Sequence, residues 1–358
     1  MSFMARNIYL HSTVSSSVSG SFRAIFPSAP RCGRVFYSQR GFSLLELLLV
    51  LFILGLMAAS AVLLTQGVED QSKYDETRRR MERIKQAMIG DPARSVNGSR
   101  EISGFVTDMG RLPACLAELL APGVLQPDDA NPATPPEYKS CGSSAVNVRA
   151  WHRDAVSGLW SGWRGPYLDA LPDRADGQKR FRDGYGNAGD DDNFGWDYQP
   201  AASGVISLAS TGQDSQSPQD DIADAAFLIE DDYRLDLTAG GIRLHIVNRT
   251  GSVLPGPGQD LKLRLYHVSD GRIVSGDSVA ITATAVSGVP ALDEVELMPG
   301  FAASMKPAQG LAGFVVLCAD NTLYEGTACA GSPAPDDVEL ITLVPRGVIP
   351  VEIDWIVE

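Results

Sequence analysis

Residues 41–64 read GFSLLELLLVLFILGLMAASAVLL, and from Phe42 to Leu64 the only ionisable side chain is Glu46. As a helix, this run would rise about 34 Å, enough to cross a hydrocarbon core of roughly 30 Å. Arg40 and Gly41 precede it, a cation followed by a small, flexible residue that a peptidase can hold in extended form. The pattern predicts a transmembrane helix over residues 42–64.

Glu46 distinguishes this run from an ordinary apolar helix, because a carboxylate in hydrocarbon costs at least ~2.5 kcal/mol and usually has a partner. Together with Gly41 and Phe42, it resembles the N-terminus of type IV prepilins and of type II secretion pseudopilins. In that family a prepilin peptidase cuts after the glycine and methylates the new first residue, and the fifth mature residue is a glutamate. The resemblance implies cleavage after Gly41, methylation of Phe42, and pairing of Glu46 with the N-terminal amine of a neighbouring subunit. The alternative is an ordinary signal anchor whose Glu46 reaches the interface.

Residues 1–41 are predicted to be a leader that is absent from the working protein. They are rich in serine and hold five arginines but no acidic residue. The segment is long for a prepilin leader, and a start at Val35 would leave one of the usual length. Its removal changes the formal charge from −14 to −19, with 25 basic and 44 acidic side chains left. Such an acidic body argues against nucleic acid as a partner.

The helix is predicted to continue beyond the membrane and to end near Gly90, which gives an N-terminal helix over residues 42–90. Met81, Ile84 and Met88 share one helical face. Glycine then proline in Gly90-Asp91-Pro92 is a typical stop signal. In the related family, true type IV pilins usually carry a proline near the twenty-second mature residue, which is Leu63 here, so the resemblance favours a pseudopilin.

Residues 91–232 are predicted to form a first globular domain, in which a small antiparallel sheet packs on the helix. The segments 165–168 and 183–187 resemble the Gly-Pro-Tyr-Leu turn and the Asp-x-x-Gly-Asn hairpin of the major pseudopilin. Glycine and asparagine supply the positive φ that tight hairpins require. The nearby aromatic side chains are expected to cover the sheet, although a carbohydrate-binding platform is an alternative.

The loop after residue 210 resembles the calcium loop of the major pseudopilins. The resemblance implies Ca²⁺ ligands from the carboxylates of Asp214, Asp220 and Asp221 and from the backbone carbonyl of Thr211. Calcium takes six to eight oxygen ligands in a flexible cage, and binding would relieve the repulsion among three carboxylates. The alternative is a solvated loop of Asx turns. The acidic run 190–193 lacks this support, and we interpret it as a solvated turn.

Residues 233–358 show a different pattern, with about seven short runs in which apolar and polar side chains alternate, one of them at Val279, Ile281 and Ala283. These runs and the Gly/Pro turns between them indicate an antiparallel β-sandwich. The predicted fold class is therefore α+β, a long N-terminal helix on a small sheet followed by a β-sandwich-like domain. The C-terminal part has no counterpart in the short major pseudopilins, and the sequence assigns it no role.

Four cysteines remain after Cys32 leaves with the leader, and an even number suits an exported protein. Three connectivities are possible. We choose the two local pairs, Cys115 with Cys141 and Cys318 with Cys329. Neither pair has the spacing of a zinc site.

No catalytic motif stands out, since no histidine lies in an HExxH arrangement and no GxSxG or phosphate-binding loop occurs. We therefore expect a structural filament subunit, a secretion pseudopilin or a minor or tip subunit of a type IV pilus, and not an enzyme. Its partners would be other pilin or pseudopilin subunits, the prepilin peptidase, the inner-membrane assembly platform and membrane lipid. It would span the bacterial inner membrane once with its globular part in the periplasm, or lie outside the cell in a filament. The alternative is a membrane-tethered module whose C-terminal domain binds a surface or a glycan.

Overall fold

The computed structural model describes residues 43–96, 99–126, 135–142, 146–173, 175–200, 204–212, 222–238, 241–249, 260–280, 293–297, 299–302, 305–325, 328–345 and 351–357, without the side chains of 61–67, 96, 99, 100 and 293–297. The chain divides into two compact units, one up to Ala61 and one from Val62 onward.

Helix α1 runs from Leu44 to Ile89 over 46 residues. The predicted stop is confirmed, because Gly90 takes the left-handed conformation with φ 76° directly after the helix. The predicted packing face is also confirmed, since Ile84 and Met88 are fully buried and Met81 is nearly so. Ion pairs along the helix, such as that of Glu69 with Lys73 at 2.8 Å, have the i, i+4 spacing that supports isolated helices.

The first globular part packs a small sheet against the second half of α1. It contains helix α2 (Phe105–Met109) and a 3₁₀ turn at Leu116–Leu119. One core joins Ile84 and Met88 of the helix to Trp196, Leu208 and Leu228. The last three lie on an antiparallel sheet of order β10-β9-β8. The strands of this part are β1 Ser95–Val96, β2 Ser99–Arg100, β3 Val124–Leu125, β4 Glu137–Ser140, β5 Val146–Arg149, β6 His152–Arg153, β7 Trp160–Ser161, β8 Trp196–Pro200, β9 Ile206–Ser210 and β10 Ala223–Leu228.

The C-terminal part is mostly β, as predicted, and two sheets share its core. One sheet has the order β14-β11-β19, and the other has β13-β12-β15-β16-β17 with β18 also paired to β15. Short 3₁₀ turns lie at Glu230–Asp232 and Pro335–Asp337. The strands are β11 Ile242–Asn248, β12 Leu261–Ser269, β13 Arg272–Asp277, β14 Asp293–Leu297, β15 Gly310–Cys318, β16 Leu323–Tyr324, β17 Cys329–Ala330, β18 Glu339–Leu343 and β19 Val351–Val357.

One pairing corrects the prediction of a purely antiparallel sandwich. Strands β11 and β19 run parallel over seven residue pairs, from Ile242 with Val351 to Asn248 with Val357. A parallel pair needs a long crossover connection, and here the intervening chain includes all of β12 to β18. Alternating apolar residues predict each strand but carry no information about this long-range partner.

The strand expected around residues 279–283 lies mostly outside the described residues. Val279 lies outside any strand and is 69% exposed, while Ile281 and Ala283 are outside the described residues. Before this segment the chain forms β13, a strand that was not predicted, which pairs with β12 through a turn at Asp270 and Gly271. Ser275 and Gly276 weaken the alternation of β13, which is why its sequence gave little signal.

The two parts of the second unit are joined by a small apolar cluster. Leu159 from the end of the β6–β7 hairpin packs with Tyr266, Val315 and Val338. The side chain of Gln309, before β15, donates hydrogen bonds to the carbonyl oxygens of Ile89 at 2.7 Å and Ser103 at 3.3 Å. The domain boundary at residues 232/233 stays a prediction, because residues 62–358 form one compact unit.

Candidate functional site

The N-terminal site begins at the first turn of α1. The backbone N–H of Glu46 donates to the Ser43 hydroxyl at 3.2 Å and to the Ser43 carbonyl at 3.0 Å. Ser43 therefore caps the helix, and the carboxylate three residues later lies near the positive end of the helix dipole. This role of Ser43 was not predicted, although serine followed three residues later by glutamate is a recognisable helix-start signal. Gly41 and Phe42 lie outside the described residues.

The surface around Glu46 is almost entirely apolar. Leu44 is 82% exposed and Leu45 76% exposed, and every described side chain from Ser43 to Ser60 is exposed. In the part of the chain that the structure describes, no ion pair involves Glu46. Extended apolar surfaces mark sites of interaction with protein or membrane. The structure thus presents one carboxylate within an uncovered apolar helix surface.

In the described ranges, no helix combines the length and hydropathy needed to cross a membrane. The predicted span, residues 42–64, includes Phe42 and the side chains of 61–64, which lie outside the described part, and it stays a prediction.

A second candidate site surrounds the start of the loop predicted to bind calcium. Asp183 is 1% exposed, and its carboxylate accepts hydrogen bonds from the backbone and side-chain nitrogens of Asn187 at 2.9 and 2.7 Å and from the Ser210 hydroxyl at 2.5 Å. Asn187 also donates to the carbonyl of Gly212 at 2.8 Å. The hairpin and the loop start, predicted separately, therefore form one buried network. A buried carboxylate needs hydrogen-bond donors, and Asn187 and Ser210 supply them to Asp183.

The loop that follows is closed at its base. The backbone N–H of Ser210 donates to the carbonyl of Ile222 at 3.0 Å. Of the predicted calcium ligands, Thr211 is described and lines a small pocket with Asp190 and Asp197. Asp214, Asp220 and Asp221 lie outside the described residues. Within the described residues, no group of three His, Cys, Asp or Glu side chains is placed to hold a metal ion.

Both predicted disulfides are confirmed. Cys115 is bonded to Cys141 with their Cα atoms 5.8 Å apart, and Cys318 to Cys329 with a separation of 6.0 Å. Each closes a loop within its own part of the chain and limits the conformations of the unfolded state.

The acidic run 190–193 braces the first disulfide, so its interpretation as a solvated turn was incomplete. The Asp192 carboxylate accepts a hydrogen bond from the backbone N–H of Gly142 at 2.9 Å. The side-chain oxygen of Asn193 accepts one from Leu116 at 3.2 Å. The turn thus contacts the residues that directly follow Cys115 and Cys141. Their distance in sequence explains why local patterns did not show the contact.

The aromatic side chains of the first part mainly form its core. Trp196 and Tyr198 are 4% and 6% exposed, and Tyr198 donates to the carbonyl of Pro113 at 2.5 Å. Trp163 and Tyr167 pack at the edge of the same core with ring centroids 5.9 Å apart. Core packing is therefore confirmed for these four rings.

Comparison with known proteins identifies the N-terminal segment. Residues 37–62 match the family described as the prokaryotic N-terminal methylation motif. No curated protein and no solved structure matches the chain. The match covers Gly41, Phe42 and Glu46 and supports a pilin-like protein that a prepilin peptidase processes, that assembles with other pilin subunits, and that is anchored in a membrane or exposed at a surface. The chain is thus similar, over these residues, to the N-termini of type IV pilin-like proteins.

Proposed function

We propose that the protein is a minor or tip subunit of a filament of the type II secretion pseudopilus or type IV pilus kind. The observation that carries the proposal is Glu46, capped at the start of α1 within an exposed apolar surface and placed four residues after Phe42. Once Gly41 is removed, Phe42 would bear a cationic amine. The amine of one subunit would pair with Glu46 of the next.

This pairing would set the register of the filament. An unpaired carboxylate among packed apolar helices costs several kcal/mol, so helices would dock where the amine reaches it. Leucine side chains pack with little preference for one register, since they offer apolar area without direction. The pair of Glu46 with the amine would therefore fix the register that the leucine side chains leave open.

Of the type II secretion pseudopilus and the type IV pilus, we favour the pseudopilus. Helix α1 is continuous from Leu44 to Ile89, and no proline interrupts it. The Asp183 to Asn187 hairpin and the Gly165 to Leu168 turn, which resemble segments of the major pseudopilin, both pack in the first globular part. The C-terminal part favours a minor or tip position, because repeating it at every subunit would crowd a uniform filament.

We further propose that the loop closed by Ser210 and Ile222 binds Ca²⁺ through Asp214, Asp220, Asp221 and the carbonyl of Thr211. Support comes from the resemblance and from the fixed base of the loop, which the Asp183 network holds. Calcium would supply the charge that three nearby carboxylates require. The variants Asp214→Ala and Asp220→Ala should lose any calcium-dependent rise in melting temperature, whereas Asp169→Ala, at an exposed aspartate outside the Thr211 pocket, should keep it. If the wild-type protein shows no such rise, the ligand assignment is wrong.

The experiment for the main proposal is N-terminal sequencing and intact-mass measurement of the membrane-extracted protein, with and without a co-expressed prepilin peptidase. The expected product begins at methylated Phe42 and appears only with the peptidase. A Gly41→Arg variant should stay uncleaved, because the peptidase must hold a small residue at this position and arginine adds a large side chain.

The matched control is Gly67→Arg, a glycine in the same helix but beyond the predicted membrane span, which should still be cleaved. A start upstream of Gly41 in both samples would contradict the proposal. The helix would then be a plain anchor, and the tethered binding module would become the better explanation.

A further inference from the structure

We propose that a pocket formed by Trp151, Trp160, Arg164 and Leu311 binds a neutral pyranose sugar stacked on Trp160. The pocket has a volume of about 410 Å³, which falls in the range of roughly 300–1,000 Å³ typical of small-molecule sites. It lies where the β6–β7 hairpin meets the outer face of the sheet that holds β12, β15 and β18. The inference does not depend on the filament role.

The aromatic side of the pocket is already ordered. Trp151 and Trp160 stack with ring centroids 5.8 Å apart and an interplanar angle of 14°. The Arg164 guanidinium lies 5.1 Å from the centre of the Trp151 ring. Trp160 is 49% exposed even so. A large ring that is held by its neighbours but open to solvent can receive a ligand at little cost in side-chain entropy.

The polar side of the pocket holds an unusually buried carboxylate. Asp108 is 2% exposed. Its Oδ2 atom accepts a hydrogen bond from the Tyr167 hydroxyl at 2.9 Å and lies 3.2 Å from Nε of Arg164. Neither contact uses Oδ1. Burial raises the pKa of Asp108 above its ordinary value of 3.8, against the opposing effect of Arg164. Thr107 and Thr342 also line the pocket.

These groups select the chemical class of the ligand. The paired charges of Asp108 and Arg164 disfavour an ion of either sign, and the acidic surface of the protein disfavours anions further. A purely apolar ligand would strip water from the guanidinium of Arg164, which is 54% exposed, without replacing its hydrogen bonds. A pyranose combines an apolar C–H face, suited to Trp160, with a rim of hydroxyls that can donate to Asp108 and accept from Arg164.

The test is saturation-transfer NMR on the full mature chain, held in octaethylene glycol dodecyl ether so that the detergent itself carries no sugar. The probes are cellobiose, maltose, lactose and N,N′-diacetylchitobiose. At least one should receive saturation on its ring C–H protons. Binding should weaken at least about tenfold in Trp160→Ala and be retained in Trp160→Phe.

The matched control is Val156→Ala, which removes exposed apolar surface from the same hairpin without touching the pocket. It should bind as the wild-type protein does. Thr342→Trp, from a different strand, should fill the pocket and abolish binding, which keeps the test valid if Trp160→Ala fails to fold. The proposal is overturned if no probe receives saturation, if neither Trp160→Ala nor Thr342→Trp weakens binding, or if cyclohexanol displaces the sugar at equal concentration.

Discussion

At the scale of single residues, the carboxylate of Glu46 has a testable consequence for assembly. Glu46→Gln keeps the size of the side chain and removes its charge. We expect cleavage after Gly41 to continue, since the peptidase site is intact, while incorporation into filaments falls sharply because the N-terminal amine has lost its partner. The measurement is the fraction of processed protein found in filaments when partner subunits are co-expressed.

The matched control for this variant is Glu69→Gln, which neutralises an exposed glutamate on the same helix that pairs with Lys73 at 2.8 Å. Exposed pairs of this kind contribute little, so assembly should remain at the wild-type level. Equal assembly of the Glu46→Gln and wild-type proteins would remove Glu46 from the assembly mechanism.

A second residue, His267 on β12, makes folding stability depend on pH. Burial lowers its pKa below the ordinary value of 6.5, and the positive charge of Arg234 acts in the same direction. The unfolded chain therefore binds a proton more readily, so this contribution to stability is present above pH 6.5 and is lost as the pH falls. The melting temperature should drop less between pH 8 and pH 5 in His267→Gln than in the wild-type protein. An unchanged drop would show that other groups cause it.

At the scale of elements, the hairpin that carries Asp183 docks on α1 through a glycine. A Cβ atom on Gly184 would lie 2.3 Å from the carbonyl oxygen of Lys73 and 2.8 Å from the hydroxyl of Thr77. Gly184→Ala should therefore force the hairpin away from the helix and lower the free energy of unfolding by roughly 1–3 kcal/mol. Chemical denaturation followed by circular dichroism measures this loss.

The control for Gly184→Ala is Gly142→Ala, where the nearest atom to the added Cβ, among the described residues, is 3.9 Å away. Neither glycine has the left-handed φ that would strain an alanine, so the pair isolates the effect of the contact. A similar stability for both variants would mean that the helix tolerates a wider separation.

The elements also show what sequence can predict. Gly90 ends α1 through its own backbone conformation, and Met81, Ile84 and Met88 share a face by spacing alone, so local patterns sufficed. The parallel pairing of β11 with β19 depends on a partner about a hundred residues away, and no local pattern encodes it. The same holds at the candidate site, where Glu46 was visible in the sequence but the link from Asp183 to Ser210 was not.

At the scale of the whole molecule, a buried ion pair stands where the two parts of the second unit meet. Glu118 has a fully buried side chain, and Arg111 lies 2.8 Å from it. Arg111 also pairs with Asp270 in the β12–β13 turn at 2.8 Å. Arg111→Ala would leave the Glu118 carboxylate buried without its cation, at a cost of roughly 3–5 kcal/mol. Calorimetry should then show a lower and broader unfolding transition.

Arg272→Ala is the appropriate comparison, because Arg272 also joins the two parts, through Glu137 at 3.0 Å, but its side chain is 53% exposed. Its loss should change stability by no more than about 1 kcal/mol. If both variants melt alike, burial of Glu118 does not determine how the two parts hold together.

The hydrogen bonds of Gln309 have a mechanical consequence. Its backbone leads directly into β15, and its side chain, 2% exposed, ends on the carbonyl of the last residue of α1. A force on the β-sandwich would therefore act on the end of the helix through Gln309 alone, because no flexible segment lies between them that could extend first. A force applied to the C-terminal part is therefore transmitted directly to α1, and a force applied to α1 is transmitted to the C-terminal part.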